Sequence, residues 1–268
     1  MTDRAETLAW TTELVRDAGR RALAMLARER TVEHKADGTV VTDIDRTVEQ
    51  FIRKEIGDRF SAHAILGEEF GYQARADAPV WAIDPIDGTT NLANGLPQWG
   101  VSVGLIENGA PVIGAVFFPL LDELYAAAAG LGATRNGVAL PSLAPADAIS
   151  GDDVYGICSY TVNRMTFGNI PARLRLTGSA ALDACWTGSG SFRGSQSLGV
   201  KLYDIAAGFC IAHEVGARSV WLRTGEPWSA TEMLREGKRE NDVLLTAAPA
   251  LLPYLRRSLT LRGAVPES

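Results

Sequence analysis

The sequence predicts a mixed α/β protein, α+β in its first half, and three observations carry that prediction. Apolar and small residues recur at helical spacing over residues 4–29. Two apolar runs, residues 100–107 and 110–118, flank Asn108-Gly109, a dipeptide that closes β-hairpins. From about residue 153 onward, short apolar strands alternate with helical patterns.

The first of these segments sets Leu8, Val15, Ala18, Ala22, Met25 and Leu26 on one face and Arg16, Arg20, Arg21 and Arg28 on the other. The arginines make a basic surface or simply a solvated one. Asp37-Gly38 then signals a turn. Thr42 or Asp43 can cap a helix whose apolar face is Ile44, Val48, Phe51, Ile52 and Ile56. Asp45 falls in its first turn, where a carboxylate complements the helix dipole whether or not it does anything else. Residues 64–71 read as a short strand ending in two adjacent acids, Glu68 and Glu69. Neighbouring side chains on an extended chain point to opposite sides, so only one of the two acids faces a given ion. An exposed acidic turn is the plainer alternative.

Residues 80–91 are the organising stretch. Val80, Trp81, Ala82 and Ile83 form an apolar strand, Asp84 stands at its end, and Pro85 turns the chain. Ile86 and Asp87 follow, then Gly88 and Thr89 with their amide groups, and Thr90-Asn91 can open a helix. Two carboxylates this close repel unless a cation separates them, and amides at a helix start attract an anion. A divalent metal bridging carboxylates to a phosphate ester satisfies both demands.

After the hairpin, residues 123–128 and the turns Gly130-Leu131-Gly132 and Asn136-Gly137 continue an antiparallel meander. Pro141 and Pro145 mark a seam, so two halves are expected, residues 1–140 and 141–268. The second half opens with a strand near residues 153–159. Residues 174–177 form another, ending in Gly178-Ser179-Ala180-Ala181, which starts a helix. Asp204 opens a further helix running to about Gly216 and containing His213. Strands are expected at 219–223 and 243–246 and a terminal helix at 251–261.

Composition limits the function classes. With 268 residues, 46% of them hydrophobic, the chain can bury a sizeable core without staples. A net charge of -6 argues against non-specific nucleic-acid binding. Three cysteines with no paired spacing suggest reduced thiols, and the three histidines are scattered, without zinc spacing. There is no signal-peptide pattern and no membrane-spanning run. A cytoplasmic protein with neither nucleic-acid nor membrane partner is expected. The glycine-rich residues 188–194 lack dinucleotide-binding spacing, and no G-x-S-x-G elbow supports a serine hydrolase.

Four acids therefore stand out: Glu68, Asp84, Asp87 and Asp204. Oxygen donors without His or Cys favour a hard cation, Mg²⁺ above all. The string Asp84-Pro85-Ile86-Asp87-Gly88-Thr89-Thr90-Asn91 resembles the signature of the inositol monophosphatase family, metal-dependent, lithium-sensitive phosphomonoesterases. The segment from Lys35 to Asp45, Gly67-Glu68-Glu69, Gly178-Ser179-Ala180-Ala181 and Asp204-Ile205-Ala206-Ala207-Gly208 follow in the family's order.

The resemblance implies a layered α-β-α-β-α sandwich of the kind shared with fructose-1,6-bisphosphatase, with the site between the halves, a homodimer, and a small phosphorylated polyol or sugar as substrate. It implies that Glu68, Asp84 and the Ile86 carbonyl hold one ion, and that Asp84, Asp87 and Asp204 hold a second. Thr89, paired with Asp45, would orient and deprotonate the attacking water. The amides of Gly88 and Thr89 would hold phosphate oxygens, while Asp87, Gly178, Ser179, Ala180, Ser197 and Asp204 would border the substrate. There are departures. Tyr203 stands where the family usually has Trp, Ser197 where it has a hydroxyl-binding Glu, and residues 160–171 are short where it places a helix. Arg193 or Lys201 can meet a second anionic group or be a solvated charge. Histidinol-phosphate phosphatase, 3′(2′),5′-bisphosphate nucleotidase and fructose-1,6-bisphosphatase activities, or a slow-turnover regulatory binding protein, are the alternatives.

Overall fold

The computed structural model describes residues 3–26, 32–34, 40–168, 170–236 and 242–262. The turn expected at Asp37-Gly38, Lys35 and Arg28 lie outside the described residues. The elements run α1 (Arg4–Leu26), β1 (Val32–His34), β2 (Val40–Thr42), α2 (Asp43–Arg59), β3 (Ala64–Gly67), β4 (Gly71–Gln73), β5 (Val80–Asp87) and α3 (Thr89–Ala93). The meander follows as β6 (Gly100–Glu107), β7 (Ala110–Phe118), β8 (Glu123–Ala128), β9 (Gly132–Arg135) and β10 (Val138–Ala139). Then come β11 (Val154–Gly156), α4 (Ser159–Val162), β12 (Met165–Phe167), β13 (Arg173–Arg175), α5 (Ala180–Gly188), β14 (Gly194–Leu198) and α6 (Leu202–Glu214). The last elements are β15 (Arg218–Trp221), α7 (Ala230–Glu236), β16 (Val243–Ala247), α8 (Leu252–Ser258) and β17 (Leu259–Leu261).

Two sheets result. The larger has the order β10-β9-β8-β7-β6-β5-β3-β4 and the smaller β13-β11-β14-β16-β15. The central strands of the large sheet, β5 to β8, are buried on both faces, and their side chains divide by alternation. Trp81, Ile83, Val101, Val103 and Ile113 pack with Leu14, Val15 and Ala18 of α1 and Ile44, Val48 and Ile52 of α2. On the other face, Val116, Phe118 and Tyr125 meet Leu182 and Cys185 of α5 and Ile211 of α6. Ile205 and Phe209 of α6 also reach Trp221 and Leu244 of the small sheet. The outer face of that sheet packs Val243 and Leu245 against Leu252 and Leu255 of α8. The layers are therefore α-β-α-β-α, the sandwich expected.

Helix α6 lies unusually close to the large sheet. A methyl group at Gly104 would stand 2.9 Å from the Ala207 nitrogen, and one at Gly114 would run into the Ala207 carbonyl. On its far side, a methyl at Gly208 would come within 2.7 Å of the Ala184 Cβ on α5. The small residues Ala206, Ala207 and Gly208 thus let one helix slot between a sheet and a second helix. That contact sets the height of Asp204 above the sheet.

Five expectations need correction; the strands expected near residues 153–159 and at 174–177 are Val154–Gly156 and Arg173–Arg175. Pro85 does not end β5; the strand continues to Asp87 through a register shift between Asp84 and Asp87, where a bulge spares proline the missing donor. The terminal helix stops at Ser258, and residues 259–261 pair antiparallel with β12. Residues 219–223 form a strand only as far as Trp221.

Gly104→Val and Gly114→Val should each lower unfolding free energy by about 1–3 kcal/mol or more, because neither helix nor sheet can retreat without opening the other interface. Gly57→Ala, with nothing within 4 Å of the added methyl, should stabilise by roughly 0.5–1 kcal/mol. Urea melts of the three variants check both signs.

Candidate active site

Strand pairing brings the first two acids together. β3 and β5 are parallel neighbours with Gly67 opposite Ile83, so the next residues, Glu68 and Asp84, emerge side by side. The Glu68 N–H donates to the Ile83 carbonyl at 3.3 Å. The Asp84 carboxylate accepts the Ile86 N–H at 3.1 Å, folding the bulge so that Asp87 returns to the same end of the sheet. Gly88 then takes a left-handed conformation, φ 93°, and a side chain there would stand 2.7 Å from the Gln98 carbonyl. That turn sends the chain into α3. The Thr89 hydroxyl donates to Asp45 at 2.9 Å and lies 3.0 Å from the Ile86 carbonyl. Asp45 is fully buried in the first turn of α2, behind Thr89.

The second half approaches through the start of α5. Ser179 caps that helix by accepting the Leu182 N–H, and its hydroxyl donates to Asp87. The Ala180 and Ala181 N–H groups donate to the same carboxylate at 3.2 and 2.8 Å. Thr177 donates to the buried Asp183 at 2.7 Å. The Asn91 amide spans the halves, donating to the Gln98 carbonyl at 2.6 Å and the Thr177 carbonyl at 2.8 Å. Asp204, in the first turn of α6, accepts the Lys201 N–H at 2.7 Å.

These elements enclose a cavity of about 250 Å³. Glu68, Asp84, Ile86, Asp87, Gly88, Thr89, Gly178, Ser179, Ala180, Ser197 and Asp204 all line it; Asp45 reaches it through Thr89. Thr90, Cys158, Ser159, Tyr160, Asp183, Leu198, Gly199 and Val200 form the rest of the wall, and no Lys, Arg or His is among its described lining residues. Arg193 is engaged elsewhere, holding Asp153 through two bonds of 2.9 and 2.7 Å.

The electrostatics are those of acids crowded out of water. Burial, then the carboxylates of Glu68, Asp87 and Asp204, push the Asp84 carboxyl well above the usual range. Burial pushes Asp87 to about 6, opposed by the Ser179 hydroxyl and the α5 amides. Asp204 is raised well above its ordinary value, first by burial and then by Asp87 and Glu68, against the Lys201 N–H. Burial likewise raises Asp183. Among the described residues no three His, Cys, Asp or Glu side chains close into a finished ion cage. Asp87 and Asp204 spend oxygens on amides instead. The donor set nonetheless fits a hard divalent ion: it is all oxygen, desolvated and mutually repelling, with no basic side chain in the described wall to neutralise it.

Reading the chain alone passed over Asp183, Asn91 and Glu49. Asp183 and Glu49 look like ordinary helix acids, and only their burial, 3% and 0% exposed, marks them out. Asn91 closes the central string without any sign of its partner 86 residues away.

Fold and site together define an acid-lined α/β phosphatase scaffold. Residues 3–250 match the family model described as "Inositol monophosphatase family". A protein from Aquifex aeolicus, named fructose-1,6-bisphosphatase/inositol-1-monophosphatase, is 33% identical over 82% of this chain and 86% of its own length. A Nus factor SuhB from Pasteurella multocida is 35% identical over 68% of this chain and 72% of its own. The solved structure of an IMPase from Thermotoga maritima superposes with a TM-score of 0.81 at 28% identity, covering 94% of this chain and 96% of that one. The chain belongs to the inositol monophosphatase family, phosphomonoesterase hydrolases whose catalysis depends on metal ions.

A raised carboxyl pKa means the folded state holds its proton more tightly than the unfolded chain. Its stability contribution is therefore full below the unfolded value and is lost as pH rises through the folded one. For Asp87 that window runs from the ordinary 3.8 through about 6. In chelator, the melting temperature of the wild type relative to Asp87→Asn should fall from pH 4.5 to pH 7.5. Added Mg²⁺ should raise the wild-type midpoint more at pH 8 than at pH 5, because protons and cation compete. Calorimetric scans at the four pH values check both.

Proposed function

We propose that the protein hydrolyses the phosphomonoester of a small polyol or sugar, with Mg²⁺ as its ion, in the cytoplasm and as a homodimer. One observation carries the reading: acids from β3–β5 and the start of α6 meet the Thr89–Asp45 pair and the turn amides in one cavity. In this reading Glu68, Asp84 and the Ile86 carbonyl hold one ion, and Asp84, Asp87 and Asp204 a second. Magnesium supplies positive charge to the phosphate oxygens and to the alkoxide that departs.

The chain's own residues do the positioning. Thr89 points its hydroxyl proton at Asp45, which leaves its oxygen lone pairs for the attacking water. As water loses a proton to Thr89 Oγ, Asp45 draws the threonine's own. The Gly88 and Thr89 amides hold non-bridging phosphate oxygens. Gly178, Ser179 and Ala180 border the ester on the far side, where Ser179 and Ala180 also keep Asp87 aimed. Ser197 offers a hydroxyl to the leaving group, beside Leu198, Val200 and Tyr160.

The wall favours a neutral alcohol. No Lys, Arg or His lines the described wall, and Lys201, whose charge is felt there, is set against Asp204, which counts against bisphosphate nucleotides and fructose-1,6-bisphosphate. Histidinol phosphate carries no second anion and stays in the comparison. A regulatory binding role is favoured by one thing, the likeness to a protein named as a Nus factor.

A phosphomonoester panel with and without Mg²⁺ tests the reading. Turnover should require the ion, vanish in chelator, and prefer monophosphates of neutral alcohols. Asp87→Asn and Asp204→Asn should each lower kcat by roughly 100-fold or more. Full magnesium-dependent turnover in either variant would refute the assignment, and absent turnover with tight partner binding would favour the regulator.

A further inference from the structure

Helix α2 presents two fully buried acids one turn apart, Asp45 and Glu49. The first belongs to Thr89. The second has no place in the chemistry above, yet it is among the most densely bonded side chains near the site. One Glu49 oxygen accepts the Glu69 N–H at 2.6 Å; the other accepts the Phe70 N–H at 3.2 Å and the Arg53 Nε at 2.6 Å. Arg53 in turn donates to the Gly71 carbonyl at 2.5 Å. On the near side the carboxylate packs onto the Cα of Gly67, where a methyl group would collide with both Glu49 and Arg53. The backbone on either side of Glu68 is therefore gripped by one ion pair, Glu49 from Gly67 to Phe70 and Arg53 at Gly71.

This grip has a physical reason to exist. Glu68 sits at the end of a four-residue strand, just before a turn into β4, whose residues are exposed. Facing Asp84, it stands against like charge, and an unrestrained turn would relieve the repulsion by swinging away. A buried carboxylate that satisfies the next two amides removes that freedom.

We infer that Glu49 is a positioning residue that holds Glu68 against Asp84 for ion binding. This rests on the reading of Glu68 as an ion ligand. The Arg53 pairing neutralises Glu49, so its negative charge does not add to the cavity's own. Asp45 and Glu49 make α2 a jig: one turn sets the hydroxyl that faces the water, and the next sets the first acid.

Calorimetric titration of the full chain with Mg²⁺ tests this, without reference to turnover. Glu49→Gln should weaken Mg²⁺ binding by roughly 10–100-fold in protein that remains folded by circular dichroism. Gly67→Ala keeps both side chains but displaces them from the backbone beside Glu68, and should do the same; it carries the test if Glu49→Gln fails to fold. The double variant Glu49→Gln/Glu68→Gln should bind no more weakly than Glu68→Gln alone, because both act through one ligand. Glu49→Gln and Gly67→Ala binding within about twofold of wild type would overturn the inference, as would additive losses in the double variant. Wild type that takes up no Mg²⁺ would overturn the ion reading itself.

Discussion

Like charges brought together out of water are the constraint on which this molecule is built. Asp84 is hemmed in by three other carboxylates, and without a cation the arrangement costs stability. Several features of the fold can be understood as measures against that cost. The parallel pairing of β3 with β5 denies Glu68 and Asp84 room to separate. The start of α5 offers Asp87 three donors, so part of its charge is answered by protein. Asp204 sits where a helix begins and takes an amide of its own. Asp84, Asp87 and Asp204 each accept backbone N–H groups, joined at Asp87 by the Ser179 hydroxyl, which suits a site that must hold its shape.

The glycine and alanine pattern of α6 belongs to the same account. Asp204 can stand over the sheet only if its helix lies nearly on the backbone of β6 and β7. The packing at Gly104, Gly114 and Gly208 achieves that with almost no side-chain volume. A run such as Asp-Ile-Ala-Ala-Gly is thus less a chemical motif than a spacing device. The acid does the chemistry, and the three residues after Ile205 decide how high it sits.

How much of this could be read from the chain alone follows from the range of the forces involved. The β6–β7 hairpin has the bounds its apolar runs and Asn108-Gly109 indicate, because turn and strands are neighbours in sequence. The acids of the central string were legible since their chemistry is unusual within eight residues. β12 and β17 were not: each is three residues long, and each is held by a partner some 90 positions away. Pro85 misled for a local reason, as a proline at a bulge looks like a proline at a strand's end. Glu49 and Asp183 were passed over because a surface acid and a buried one read alike until the opposing surface is known. The contrast between Asp45 and Glu49 is instructive, since only the family resemblance separated them.

The short ladder of β12 and β17 reaches beyond its size. Its bonds continue on both sides, with the Gly168 N–H on the Ser258 carbonyl and the Arg262 N–H on the Arg164 carbonyl. The segment it steadies follows directly on Ser159 and Tyr160 in the cavity wall. The family match ends at residue 250, so β17 lies past the part of the chain that its relatives' pattern describes. A tether at residues 259–262 therefore reaches, through one short segment, a wall of the cavity that lies apart from its crowded acids.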